Sequence, residues 1–188
     1  MNKLLCTSLL ALVALPATAW ADTQDSGNVA IDGWVEPLCI LGDPSPALVD
    51  LGQMIATSGT RAGKIAVLPS QTVNLPNSFC NFAGSVVTVD ATALVSNDPT
   101  SPPSGFARAV NYTATAAGWA SGDASATTAA LADGSSPTSS GTGAVQPLPN
   151  IANIQVTLSG FTVPGDRILV ADNYQGLVIV TLGAAIGD

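Results

Sequence analysis

Gly27-Asn28-Val29-Ala30-Ile31-Asp32-Gly33-Trp34-Val35-Glu36-Pro37-Leu38-Cys39-Ile40-Leu41 is the stretch on which the reading of the chain turns. Its first nine residues alternate. Gly27, Val29, Ile31, Gly33 and Val35 fall on one side of an extended backbone and are small or apolar, while Asn28, Ala30, Asp32 and Trp34 fall on the other. A period of two belongs to a β-strand with one buried face, because successive side chains point to opposite sides. Outward from this stretch, no window of eleven or more residues carries an apolar stripe at i, i+3, i+4 and i+7. Short alternating or β-branched runs recur instead, at 28–31, 34–41, 47–51, 64–68, 71–75, 85–90, 106–115, 151–158, 167–171 and 174–182, separated by Gly, Pro, Ser and Asn. That spacing predicts an all-β sandwich or barrel. The clearest run is the last. Leu177, Ile179 and Thr181 alternate with Val178, Val180 and Leu182, so both faces are largely apolar and a strand covered on both sides is expected.

Two stretches break the pattern. Prolines at 99, 102 and 103 make 97–105 a loop, since proline has no ladder donor. Residues 116–143 are Ala, Ser, Thr and Gly with almost no large side chain, which reads as a long surface excursion holding at most one weak strand. Its segment 124–132 fits a short helix as well as it fits a coil.

Composition narrows the chemistry. The 188 residues are 47% hydrophobic but only 10% charged, with a net charge of −8 and no histidine. An apolar, charge-poor chain of this length can bury one ordinary core. The acidic balance argues against nucleic acid, whose phosphates require a basic footprint. Without imidazole, the His-assisted nucleophiles and histidine metal sites are gone. Residues 1–21 read as an export signal: Lys3, an apolar run from Leu4 to Leu15, Pro16, and Ala19-Trp20-Ala21 as the cleavage site. Such a run is shorter than a membrane span. Cleavage leaves 167 residues with a charge of −9, no membrane anchor, and Cys39 and Cys80 as the sole cysteines. Two cysteines in an exported chain most simply form one disulfide, because their spacing does not suit a redox pair and two thiols do not make a zinc site.

The remaining features have bland readings. The scattered aspartates Asp43, Asp90, Asp98, Asp123, Asp133 and Asp172 form no calcium loop and suit solvated turns. Trp34, Trp119 and Tyr112 suit core or interface packing better than a sugar platform. No residue set calls for a metal, a cofactor or catalysis.

The segment 27–41, the motif Val49-Asp50-Leu51-Gly52-Gln53 and the separation of Cys39 from Cys80 together resemble the start of chaperone–usher fimbrial subunits. The closing run Tyr174-Gln175-Gly176-Leu177-Val178-Ile179-Val180-Thr181-Leu182 is similar to that of the archaic, spore coat protein U-like branch. The chain departs from the family in having one residue fewer between Gly33 and Cys39, and six residues beyond Leu182. The resemblance implies an incomplete immunoglobulin-like β-sandwich over 34–188 with one disulfide, preceded by an extension, 22–33, whose Gly27, Val29, Ile31 and Gly33 form a donor strand. It implies Tyr174, Gly176, Leu177, Ile179 and Thr181 as the C-terminal strand at the groove edge. The partners it implies are a periplasmic chaperone, an outer-membrane usher and other copies of the chain, in a fimbria at the cell surface serving adhesion or biofilm formation. Pairing of residues 28–31 within their own domain is the alternative to donation, and a self-contained secreted sandwich that binds carbohydrate or protein is the competing expectation.

Overall fold

The computed structural model describes residues 26–185; the expected export signal at 1–21 lies outside them. The chain divides after Val35 into two units. In the first, the described residues 26–35 form no strand, and Val29 and Ile31 are 85% and 94% exposed. The expected strand at 28–31 is therefore absent. An alternating sequence fixes which side chains share a face, but a strand also needs a hydrogen-bonding neighbour.

The second unit is all-β. Its strands are β1 (Cys39–Ile40), β2 (Gln71–Cys80), β3 (Ser85–Ser96), β4 (Phe106–Ala107), β5 (Ala109–Ala117), β6 (Ala124–Thr127), β7 (Ser139–Thr142), β8 (Asn150–Thr162), β9 (Ile168–Leu169) and β10 (Tyr174–Ala184). Eight of them form one nearly closed, barrel-like sheet in the order β1-β2-β8-β5-β3-β10, with β6 on β5 and β7 on β3. The short pair β4–β9 stands apart and is parallel. Cys39 and Cys80 lie opposite each other on β1 and β2 and are joined by a disulfide.

Alternation places the core. On β8, Ile154 and Val156 face inward and pack with Leu75, Val87, Val89, Tyr112, Ala114 and Trp119, while Ile151, Asn153 and Gln155 face out. β5 ties the sheet together by pairing with β3 through Ala109 and Val110 and with β8 from Asn111 onward. A second cluster holds Ile65, Ala107, Val110, Val163 and Leu169. Its rim carries a charged clasp: Asp166 accepts from Arg61 at 2.8 Å and from Lys64 at 2.7 Å, and these contacts hold its carboxyl below the usual range.

Several expected strands take another form. Only Cys39–Ile40 of 34–41 is a strand, and 47–51 and 64–68 are irregular, with one isolated bridge at Ile65 in the second and another at Ser45, just before the first. Conversely, the excursion at 116–143 contains β6 and β7, so 124–127 is extended rather than helical. Its small side chains are a packing requirement. Ala124 and Ala126 are buried, and a Cβ on Gly141 would run into the Ser125 backbone where β6 and β7 approach. β2 continues five residues past its expected end, through Pro76, because the ladder to β8 shifts register between Leu75 and Ser78 and Asn77 takes a positive φ of 53°.

Aspartate side chains organise the junction between β3 and β10. Asp172 accepts from the Ser96 hydroxyl, from the Asp98 amide at 2.7 Å and from the Asn173 amide at 2.7 Å. These bonds, the Ser96 hydroxyl foremost, hold its carboxyl below the usual aspartate value. A carboxyl whose pKa falls on folding adds stability above its unfolded pKa and loses it as pH drops through the folded one. Asp172→Asn is therefore expected to lower the urea midpoint at neutral pH. The parent and variant midpoints should converge in acid below the ordinary carboxylate range, and a gap that persists there would refute this role.

Candidate apolar cleft

β10 pairs with β3 along one edge and, among the described residues, has no strand on the other. β2 pairs with β8, and its other edge meets β1 only at Phe79 and Cys80, plus the single bridge from Asn74 to Ser45. Between these two edges lies a cleft of about 450 Å³. Val73 and Leu75 of β2 form one wall, and Gly176, Leu177, Val178 and Val180 of β10 form the facing one. The floor is Leu94, Tyr112, Val156, Leu158 and Phe161. Residues 41–51 run alongside as a strap, supplying Leu41, Leu48, Val49 and Leu51.

The strap is fixed where it leaves β1. Gly42 donates its amide to the Ser78 hydroxyl at 3.0 Å, and a side chain there would collide with the Pro76 backbone. Farther along, Ser45 and Asn74 exchange two backbone bonds, at 2.8 and 2.9 Å. Past that point Leu48 is exposed although it borders the cleft.

Among the described residues, none that line the cleft is charged. Tyr112, the ionisable side chain among them, donates its hydroxyl to the Thr92 carbonyl at 2.9 Å and approaches the Leu177 carbonyl at 3.4 Å. Burial raises that phenol to about 12, so it stays neutral. Its ring lies 6.0 Å from that of Phe161, tilted by 33°. The cleft can therefore hold apolar side chains and offers unpaired backbone groups along β10.

The residues singled out from sequence are partly assembled here. Cys39 and Cys80 meet as expected. Tyr174, Gly176, Leu177, Ile179 and Thr181 all lie on β10, but the strand is not covered on both faces: Leu177 and Ile179 are half or more exposed. The inward set is Val178, Val180 and Leu182, which pack on the main core. Tyr174 turns to the second cluster and donates its hydroxyl to the Val170 carbonyl at 2.8 Å. Gly176 sits at the register shift with β3, where a Cβ would stand 3.0 Å from the carbonyls of Thr92 and Ala93. Gly27 and Gly33 have open space about them, alongside the exposed Val29 and Ile31. Tyr112 and Trp119 are core residues, whereas Trp34 is exposed. Sequence reasoning missed the floor and the strap, because a cleft wall carries the same apolar alternation as a closed core.

No protein family, characterised protein or solved structure matched this chain in the comparisons made.

Proposed function

We propose that this chain is a structural subunit of an extracellular fimbria, built by donor-strand exchange after export through a periplasmic chaperone and an outer-membrane usher. On this reading the second unit is an immunoglobulin-like sandwich lacking one strand, and Gly27–Gly33 of one copy fills the gap in the next. The observation that carries the reading is the cleft between β2 and β10, two edges facing each other across apolar side chains without a strand between them. An edge of this length invites pairing with another chain, and adding a strand to it is a known mode of peptide recognition. The exposed alternation Val29, Ile31 supplies a matching face, and the flanking glycines permit close backbone approach.

The test is electrophoretic. The purified mature chain, left unboiled, should run as an SDS-resistant ladder, and removal of residues 22–33 should leave monomers alone. A ladder that survives the deletion would overturn exchange through this segment. Monomers from the intact chain would favour a self-contained binding module.

A further inference from the structure

Resting on the strand-exchange reading, we infer that Trp34 is a second anchor of the inserted segment, packing on Leu177 of the receiving copy from the solvent side while Val29 and Ile31 fill the cleft from within. Two exposed apolar side chains meet in this contact. Leu177 is 57% exposed on β10, the strand with the open edge, and Trp34 is 80% exposed one residue beyond the segment Gly27–Gly33.

Parity fixes the face. Residues side by side on neighbouring strands point to the same side of the sheet. On β10, Val178 and Val180 pack on the core, while Leu177, Ile179 and Thr181 point out. On the segment, Val29, Ile31 and Gly33 share one side, and Asn28, Ala30, Asp32 and Trp34 share the other. A segment that turns Val29 and Ile31 into the cleft therefore lays Trp34 on the face that carries Leu177. Asn28, Ala30 and Asp32 are too short or too polar to cover a leucine, so Trp34 is the side chain that does so.

Register fixes the neighbour. An antiparallel partner pairs slightly more favourably with β10 than a parallel one. With Ile31 beside Val178 or Val180, both of which line the cleft, an antiparallel segment puts Trp34 opposite Gln175 or Leu177. An aromatic side chain reaches the residue opposite and its diagonal neighbour, so Leu177 is within reach in either register. A parallel segment would carry Trp34 to Thr181 or Gly183 instead, out of reach of Leu177.

The experiment uses assembled fibres of the mature chain. With Trp20 removed in the export signal, Trp34 and Trp119 are the remaining tryptophans, and Trp119 is already buried in the core. Assembly should shift the emission to shorter wavelength, and Trp34→Tyr should abolish the shift. Trp34→Ala should still form the SDS-resistant ladder, which should dissociate about fivefold faster, the scale of one aromatic cross-strand pair. Leu177→Ser should do the same. The double variant should dissociate no faster than the single ones, because both changes remove one contact. Both side chains are exposed in the unassembled chain, and Trp119 emission of each monomer checks that the body is folded. Four results would show the outer anchor to be wrong while strand exchange stands: ladders without an emission shift, a single variant as slow as the parent, additive effects, or coupling of Trp34→Ala to Thr181→Ala in place of Leu177→Ser. If the parent forms no ladder, both readings fall together.

Discussion

Ile31→Asp is expected to abolish the SDS-resistant ladder that strand exchange predicts, leaving monomers that fold as the parent does. Ile31 is 94% exposed in the isolated chain, so the substitution leaves the body's core untouched. In a filled cleft the aspartate would meet a charge-free lining of Leu, Val and Phe. An isoleucine buried there contributes about 1.5–3 kcal/mol, and an unpaired carboxylate reverses that gain and adds its own desolvation cost. Alternation supplies the control. Asp32 lies on the opposite side of the extended segment, and a one-residue slip would exchange the two faces, so Asp32→Asn should leave the ladder unchanged. Undiminished ladders from Ile31→Asp would remove this segment from the assembly.

The second large effect belongs to the disulfide. Replacing Cys39 and Cys80 together by alanine should cost about 4 kcal/mol, on the chain-entropy argument for a closed loop of about forty residues. Urea denaturation monitored by tryptophan fluorescence, carried out in the monomeric Ile31→Asp background, reads the difference. The physical reason is specific to this fold. β1 is two residues long and meets only the last two residues of β2, so the covalent link reinforces a start that is otherwise held by scattered hydrogen bonds rather than by a full ladder. A loss below about 1 kcal/mol, the scale of one ordinary net hydrogen bond, would show that the strap and its Gly42 and Ser45 bonds suffice.

How far the sequence disclosed this arrangement depended on whether a residue's neighbour could be inferred from its own pattern. The all-β class was legible because Ile151–Leu158, Ser85–Asp90 and Tyr174–Leu182 alternate or run in β-branched residues, and strands β8, β3 and β10 cover all three. The disulfide was legible from the cysteine count once Cys6 was set aside with the expected export signal. Residues 47–51 and 64–68 carry the same signal and are not strands, since their apolar side chains serve a cleft wall and a satellite cluster. β6 and β7 were hidden because alanine and glycine, read as too small for a core, are what lets their backbones approach. On β10, two apolar faces suggested cover on both sides. The fold instead leaves Leu177 and Ile179 outward on an edge strand, and nothing in a single strand's pattern distinguishes a central position from an uncapped one.

The clasp at Asp166 has a consequence for durability. Between residues 26 and 185 the basic residues are Arg61, Lys64, Arg108 and Arg167, the complete set of bonds there that a trypsin-like protease can cut. Arg108 is buried, with its guanidinium donating to the Ser96 carbonyl, and Arg61 and Lys64 are both gripped by one carboxylate. Arg61 is nevertheless half exposed, and Arg167 stands open in the irregular link before β9. Limited digestion with a trypsin-like protease should therefore begin with very few cuts in the described residues, Arg61 and Arg167 being the exposed sites.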